Sequence, residues 1–492
     1  MTRAAERPTT AETFESLDPR SGNVVATFPI HTAVDVEAAV ARARDASLWW
    51  QGLGWDGRKA RLDAWKRLIV KRGDELAELV SRENGKPVTD ARLTEVTLPV
   101  DHIAWAGKNA PKVLGRRKVP AGLMMANQAA TLEYQPLGVV GVIGPWNYPV
   151  FTPMGSIAYA LAAGNAVVFK PSEYTPAVGK WLVDTFGEVV PEQPVLQLIT
   201  GFGETGAALC RAGVDKVAFT GSARTGRKVM AACAETLTPV LMECGGKDAM
   251  IVADDADVDA AATAALWGGM SNAGQTCVGI ERVYVTEKVY DEFVATLTAK
   301  ASKVVAGTSY GPITMPGQVD VIRRHIADAI SKGGRALTGG HIEGGLVEPT
   351  VLVDVPEDSS AVTEETFGPT LTVAKVRDVE EAIEKSNNTT YGLAGSVFAK
   401  KGGVEIARRL RTGMTSVNQV VAFAGIPSLP FGGSGDSGFG RIHGEDGLKE
   451  FARAKAITRQ RFDLPLPLLS FDRTPKVDAL LGRAVRFLHG RG

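Results

Sequence analysis

The sequence predicts an α/β protein built on doubly wound parallel sheet. Two observations predict it. Short runs rich in β-branched residues follow one another after Pro136, and helical stretches separate them. Strands that alternate with helices imply parallel βαβ units, because a parallel strand needs a crossover to return to the same edge. At 492 residues and 45% hydrophobic content, the chain can bury two or three cores.

The elements follow in order. The opening MTRAAERPTTAETFESLDP has no apolar stretch of the kind a secretory signal needs, so the expected location is the cytoplasm. From Val36 to Arg82 the text is mostly helical. Leu62, Trp65, Leu68, Ile69, Leu76, Leu79 and Val80 recur at the three- and four-residue spacing of one buried face. Asn84-Gly85-Lys86-Pro87 then stops the helix. The strand-like runs are GVVGVIG (138–144), AVVFK (166–170), VLQLIT (195–200), KVAFT (216–220) and PVLME (239–243), with helices near 153–163, 176–188, 204–211 and 224–236. A second α/β region, from about 246 to 445, contains AMIV (249–252), RVYV (282–285) and LTVAKV (371–376). The apolar stretch 136–169 is broken by Gly144, Pro145, Asn147, Pro149, Pro153 and Gly164. A membrane helix needs about 20 apolar residues in a row, so this reads as strand, loop, helix, strand. The end, from Phe462, carries Pro-spaced leucines and then a short basic amphipathic stretch. It reads as a surface extension packed on the body or on a neighbouring subunit, with a weak membrane-surface helix as the less favoured alternative.

Composition excludes some functions. With 55 basic and 55 acidic residues there is no basic excess for binding nucleic acid. The four cysteines form no CxxC pair and the six histidines no HxxxH pair, so neither a metal site nor a disulfide framework is suggested.

In doubly wound sheets ligands bind beyond the carboxyl ends of the strands, and five segments there carry candidate chemistry. Cys277, in Asn272-Ala273-Gly274-Gln275-Thr276-Cys277, is either a nucleophile in a tight polar turn or a small buried hydrophobe. Glu243, just before Gly245-Gly246, is either a general base with a raised pKa or a surface acid at a turn, the glycines letting the backbone pass close to another group. Asn147, in Pro145-Trp146-Asn147-Tyr148-Pro149, is an oxyanion donor or an ordinary turn residue. Gly221-Ser222-Ala223-Arg224-Thr225-Gly226 is a strand–helix junction where Ser222 can cap a helix and its N–H groups can hold phosphate. Lys170 and Glu173, around Pro171-Ser172, can bond ribose hydroxyls or form a solvated turn.

Together with ENGKP (83–87), AAGNAVVFKPSE (162–173), EETFGP (364–369) and PFGGSGDSGFGR (430–441), these segments resemble the aldehyde dehydrogenase superfamily in order and spacing from about residue 14 to 460. The resemblance implies a Rossmann-like cofactor domain (1–121 and 138–245), an α/β catalytic domain (246–449), a small β oligomerisation arm (122–137 and 450–463) and, beyond it, a C-terminal extension (464–492). It implies Cys277 as nucleophile, Glu243 as the base for water, Asn147 with the Cys277 N–H as oxyanion hole, and Lys170 as a further member of the catalytic set. Lys170 and Glu173 would contact the ribose. Ile143, Pro145, Trp146, Ser172 and Gly203 would line the cofactor groove. Gly221, Ser222 and Gly226 would turn the pyrophosphate, and Glu365 and Phe367 would grip the nicotinamide end. It implies NAD as cofactor with NADP as the alternative, a small-molecule aldehyde as substrate, no metal, no nucleic acid, and a homo-oligomer, dimer or tetramer. Glu243 argues against an acyl-CoA product, which needs no hydrolytic base. Two features depart from the pattern: Cys244, a packing residue or a thiol able to pair with Cys277, and the tail beyond about 464. The substrate stays open between apolar aldehydes, served by Trp146, Phe151, Trp267, Val420, Phe423 and Phe431, and semialdehydes such as succinate semialdehyde, which need an Arg such as Arg282 or Arg441.

Overall fold

The structure, a computed structural model, describes residues 12–463 and 470–490. It divides into a large unit, Met1–Val113 with Pro136–Ala452, and a small one, Leu114–Gln135 with Arg453–Gly492.

Two sheets organise the large unit. The first has six strands in the order Gly438–Phe439, Val240–Cys244, Lys216–Gly221, Val139–Ile143, Ala166–Lys170, Leu196–Leu198. The last five are parallel, and Gly438–Phe439 joins the edge antiparallel. Val139–Ile143 comes first in the chain among the parallel strands yet lies in the middle, so the winding reverses beside it. That reversal opens the crevice where doubly wound sheets hold ligands. Helices Phe151–Ala163, Pro176–Val189, Gly203–Arg211 and Ala223–Ala234 make the crossovers. The helical layer before them begins with a capping box: Thr32 Oγ1 accepts from the Asp35 N–H, and Asp35 Oδ2 accepts from the Thr32 N–H. It docks through two indoles, Trp50 donating to the Leu161 carbonyl at 2.8 Å and Trp65 to Thr185 Oγ1 at 3.1 Å, so each buried aromatic also satisfies its polar atom.

The second sheet has seven strands: Arg335–Thr338, Thr350–Val353, Thr370–Val376, Ile280–Thr286, Asp248–Val252, Ala394–Phe398, Met414–Val417. All but the first run parallel. Met250, Val283, Val351 and Val373 fill one side of it with Phe293 and Ile322. Four strands, at 335–338, 350–353, 394–398 and 414–417, were not expected from the sequence. They are short and lack alternation, and a short buried run does not distinguish strand from helix.

In the small unit, Arg117–Val119, Gln128–Pro136 and Ala452–Gln460 make a three-stranded sheet in which Gln128–Pro136 is central. The basic stretch near the C-terminus is a helix, Pro475–His489, with Val477 buried and Leu480 and Val485 exposed. The leucines at 464, 466, 468 and 469 lie outside the described residues. Among the described residues no helix is long and apolar enough to cross a membrane.

Candidate active site

The parallel register of the first sheet aligns the predicted groups. Ile143 is level with Lys170 on one side and Phe219 on the other, and Thr220 is level with Glu243. All of them end their strands on the same edge. Glu243 is within its strand and only 3% exposed, so it is not a turn residue. Ser222 caps the helix that follows Lys216–Gly221, its hydroxyl accepting from the Thr225 N–H at 3.3 Å. Gly203 opens the neighbouring helix, Gly203–Arg211. Lys170 is buried and donates to the Pro171 carbonyl at 3.2 Å; Glu173 Oε2 is 4.0 Å from its Nζ and 3.5 Å from Ser172 Oγ.

The turn that delivers Cys277 is strained. After helix Val258–Met270, Asn272 and Ala273 take φ of +52° and +56°, followed by Gly274 at +70°. Two consecutive non-glycine residues in this region are costly, and such strain collects at functional sites. A side chain on Gly274 would strike the Gly368 carbonyl, its Cβ only 2.0 Å from the oxygen. Polar side chains hold the turn: Asn147 Nδ2 donates to the Gln275 carbonyl at 3.0 Å, and Asn272 Nδ2 reaches the same carbonyl at 3.2 Å and the Asn147 carbonyl at 3.1 Å. Tyr148 and Thr276 share a hydrogen bond of 2.9 Å. Asn147 is therefore bonded to the turn that ends in Cys277.

Two buried Lys–Glu pairs fix the loops on either side. Lys86 Nζ lies 2.6 Å from Glu95 Oε1 and donates to the Asn147 carbonyl at 2.9 Å; Glu95 Oε2 accepts from the N–H groups of Val150 and Phe151. Lys247 pairs with Glu281, whose carboxylate accepts from the N–H groups of Thr366 and Phe367. The first pair sets the loop of Trp146 and Asn147, the second that of Glu365 and Phe367. The two loops touch where the Trp146 and Phe367 rings meet edge to face, centroids 5.5 Å apart. Glu365 Oε1 accepts from the Gly246 N–H at 3.1 Å, and a Cβ on Gly245 would lie 2.0 Å from that oxygen. The close approach the glycines permit is thus to Glu365. The sequence reading assigned no role to Lys86, Glu95, Lys247 or Glu281. Lys86 sits inside a quoted motif, Lys247 directly follows Gly245-Gly246, and Glu281 interrupts an apolar strand; Glu95 carries no local signal.

Burial sets the electrostatics. It raises the Glu243 carboxyl well above the ordinary carboxylate range, with Arg441 opposing the shift and Glu450 adding to it. Neither Glu243 carboxyl oxygen has a hydrogen-bond partner among the described residues. Burial likewise raises the Cys277 thiol, helped by the negative charges of Asp248, Glu243 and Glu365. Glu365 is pushed up to about 8 by burial and by Glu281. Burial lowers the Lys170 ammonium, and Glu173 opposes this.

Cys277 and Glu243 open together on a cavity of about 440 Å³, within the range of small-molecule sites. Phe151, Trp267, Val420 and Phe431 line it as the sequence suggested, but Trp146 and Phe423 do not. Trp146 packs on Phe367 instead, and Phe423 is buried behind Phe431, ring centroids 6.2 Å apart. Neither candidate arginine is in the lining. Arg282 is buried and donates to the carbonyls of Lys247, Lys385 and Ser386; Arg441 donates to those of Gly433 and Gly440. Cys244 is in the lining, its thiol raised to about 12 by burial and by the nearby Glu243 and Glu365.

Residues 6–457 match the model of the aldehyde dehydrogenase family. The chain is 37% identical to the 4,4'-diapolycopene aldehyde oxidase of Methylomonas sp over 92% of its length and 87% of that protein. It is 36% identical to a putative succinate-semialdehyde dehydrogenase [NADP(+)] of Mycobacterium ulcerans, over 91% of the chain and 89% of that protein. The crystal structure of an NAD-dependent aldehyde dehydrogenase from Sinorhizobium meliloti superposes with a TM-score of 0.88 at 33% identity, covering 93% of each chain.

Proposed function

The chain belongs to the aldehyde dehydrogenase family, and from that premise we propose that it oxidises an aldehyde to a carboxylic acid through a thioester on Cys277, with NAD as cofactor. The observation that carries the proposal is that Cys277 and Glu243 open on one cavity while Asn147 is bonded to the turn ending in Cys277.

The Cys277 thiol gives its proton to water in the cavity, and its sulfur forms a bond to the aldehyde carbon. Asn147 Nδ2 and the Cys277 N–H are the donors for the oxyanion, and one such donor is typically worth ~10²–10³ in rate. The dinucleotide, when bound, supplies the acceptor for the hydride that leaves this carbon. Glu243 then takes a proton from water, the hydroxide adds to the thioester, and the C–S bond breaks to release the acid and restore the thiol. A base with a raised pKa suits this step, because its conjugate acid matches the working pH. Splitting the reaction at a covalent intermediate replaces one hard step by two easier ones.

The residues fit the cofactor. Lys170, buried with one carbonyl partner, and Glu173 beside it are the ribose contacts. The Ser222-capped helix start, with Gly221 and Gly226, is the pyrophosphate site. Ile143, Pro145, Trp146, Ser172 and Gly203 line the groove, and Glu365 and Phe367 hold the nicotinamide end. Glu173 would repel a 2′-phosphate, which favours NAD over NADP; a strong NADP preference in kcat/KM would overturn this. The sheet of Arg117–Val119, Gln128–Pro136 and Ala452–Gln460 is the surface we assign to pairing with a second copy, since its last strand is exposed along nearly its whole length. A panel of aldehydes assayed with both cofactors, with Cys277→Ala as blank, tests the activity. NADH should form with the wild type and not with the variant, and equal rates would refute the assignment of Cys277.

A further inference from the structure

Resting on that reading, we infer that the substrate is an uncharged apolar aldehyde of medium to long chain, and that the cavity discriminates against aldehydes ending in a carboxylate. Exposure falls along the lining from Leu93 (53%) and Trp267 (50%) at the rim to Phe431 (6%) and Val420 (5%) within, so the cavity is an open-mouthed apolar funnel leading to the sulfur. Among the described lining residues none is Lys, Arg or His. The polar side chains there other than Glu243 are neutral: the Tyr148 hydroxyl is on Thr276, the Thr94 hydroxyl donates to the Asp90 carbonyl and Gln419 Oε1 accepts from the Val420 N–H, while Glu243 would repel a second carboxylate. Neither candidate arginine is in the lining, and both donate to main-chain carbonyls.

A carboxylate moved from water into such a funnel loses its hydration without gaining a cationic partner. A methylene gains by the same transfer, about fourfold in affinity for each one buried. A cavity of about 440 Å³ is many times the ~30 Å³ share of one water-sized group, so it has room for an extended chain. Leu93, Trp267 and Val420 are the residues that set this preference.

The experiment is kcat/KM with NAD for straight-chain aldehydes from propanal to dodecanal, together with a matched pair, heptanal and 7-oxoheptanoate. The expected result is a rise of ~3–4-fold per methylene until the funnel is full, and heptanal ahead of its carboxylate partner by at least ~10²-fold. Leu93→Arg, at the half-exposed rim, should narrow that gap at least ~10-fold by supplying a cation. A flat series, or a carboxylate-ended partner that equals heptanal, overturns the inference while leaving the catalytic assignment intact. Absence of NADH with every aldehyde would instead remove the assignment on which it rests. Should Leu93→Arg fold poorly, the matched pair on the wild type still decides.

Discussion

At the scale of residues, the site depends on titratable groups that folding buries. Glu243 is the clearest case, since burial keeps its proton on to a higher pH than an exposed acid would. The base form exists only above that raised pKa, so hydrolysis should speed up as pH rises through it and fail as pH falls. The pH profile of steady turnover should show this limb, and Glu243→Gln should lose it along with most of the rate. Stability carries the opposite sign. Because the folded state holds this proton more tightly than the unfolded chain, the contribution of the group is full at low pH and is lost as pH rises through the folded pKa. Glu243→Gln should therefore be more stable than wild type in alkaline denaturant titrations, and no gain there would contradict the burial argument. Asn147→Ala should lower kcat by ~10²–10³, and stopped-flow measurement of the NADH burst would locate the loss in the first step. These roles were legible in the sequence because Cys277, Glu243 and Asn147 stand in short motifs beside glycine, proline and strand ends. Glu95 was not, because it stands in no motif and two of its partners, Val150 and Phe151, lie 55 and 56 residues away.

At the scale of elements, two loops are held by two buried ion pairs, and each pair is expensive to break. Removing one partner leaves a charge without compensation, typically at a cost of ~3–5 kcal/mol, whereas replacing both by apolar groups can be nearly neutral. Lys247→Met should therefore destabilise strongly. Lys247→Met with Glu281→Leu should recover part of that stability but not the cofactor KM, since the N–H groups of Thr366 and Phe367 lose their acceptor. Denaturant unfolding with cofactor KM on both variants checks this; a double variant with normal KM would mean that the pair does not position Phe367. The early helices and the central strands were readable because each repeats a buried face or runs through β-branched residues between glycine and proline. The strands Arg335–Thr338 and Met414–Val417 were not, since tertiary pairing rather than composition makes them strands. The funnel was half-readable: aromatic residues announce an apolar surface, but only packing decides that Trp267 faces the cavity and Phe423 does not.

At the scale of the molecule, the two sheets have separate tasks. The first gathers Lys170, Ser222 and Glu243 on one edge beside the point where its winding reverses; the second, with the strained turn before it, carries Cys277 to the same place. Both must be present for the chemistry, because Glu243 stands one residue before the end of a strand of the first sheet and Cys277 three residues before the start of a strand of the second. The most direct test of this account is intact-protein mass measured after mixing Glu243→Gln with NAD and a medium-chain aldehyde. The account predicts one NADH per subunit and an added acyl group, lost when Cys277 is also replaced. Free acid produced at the wild-type rate, with no acyl group on the protein, would contradict it.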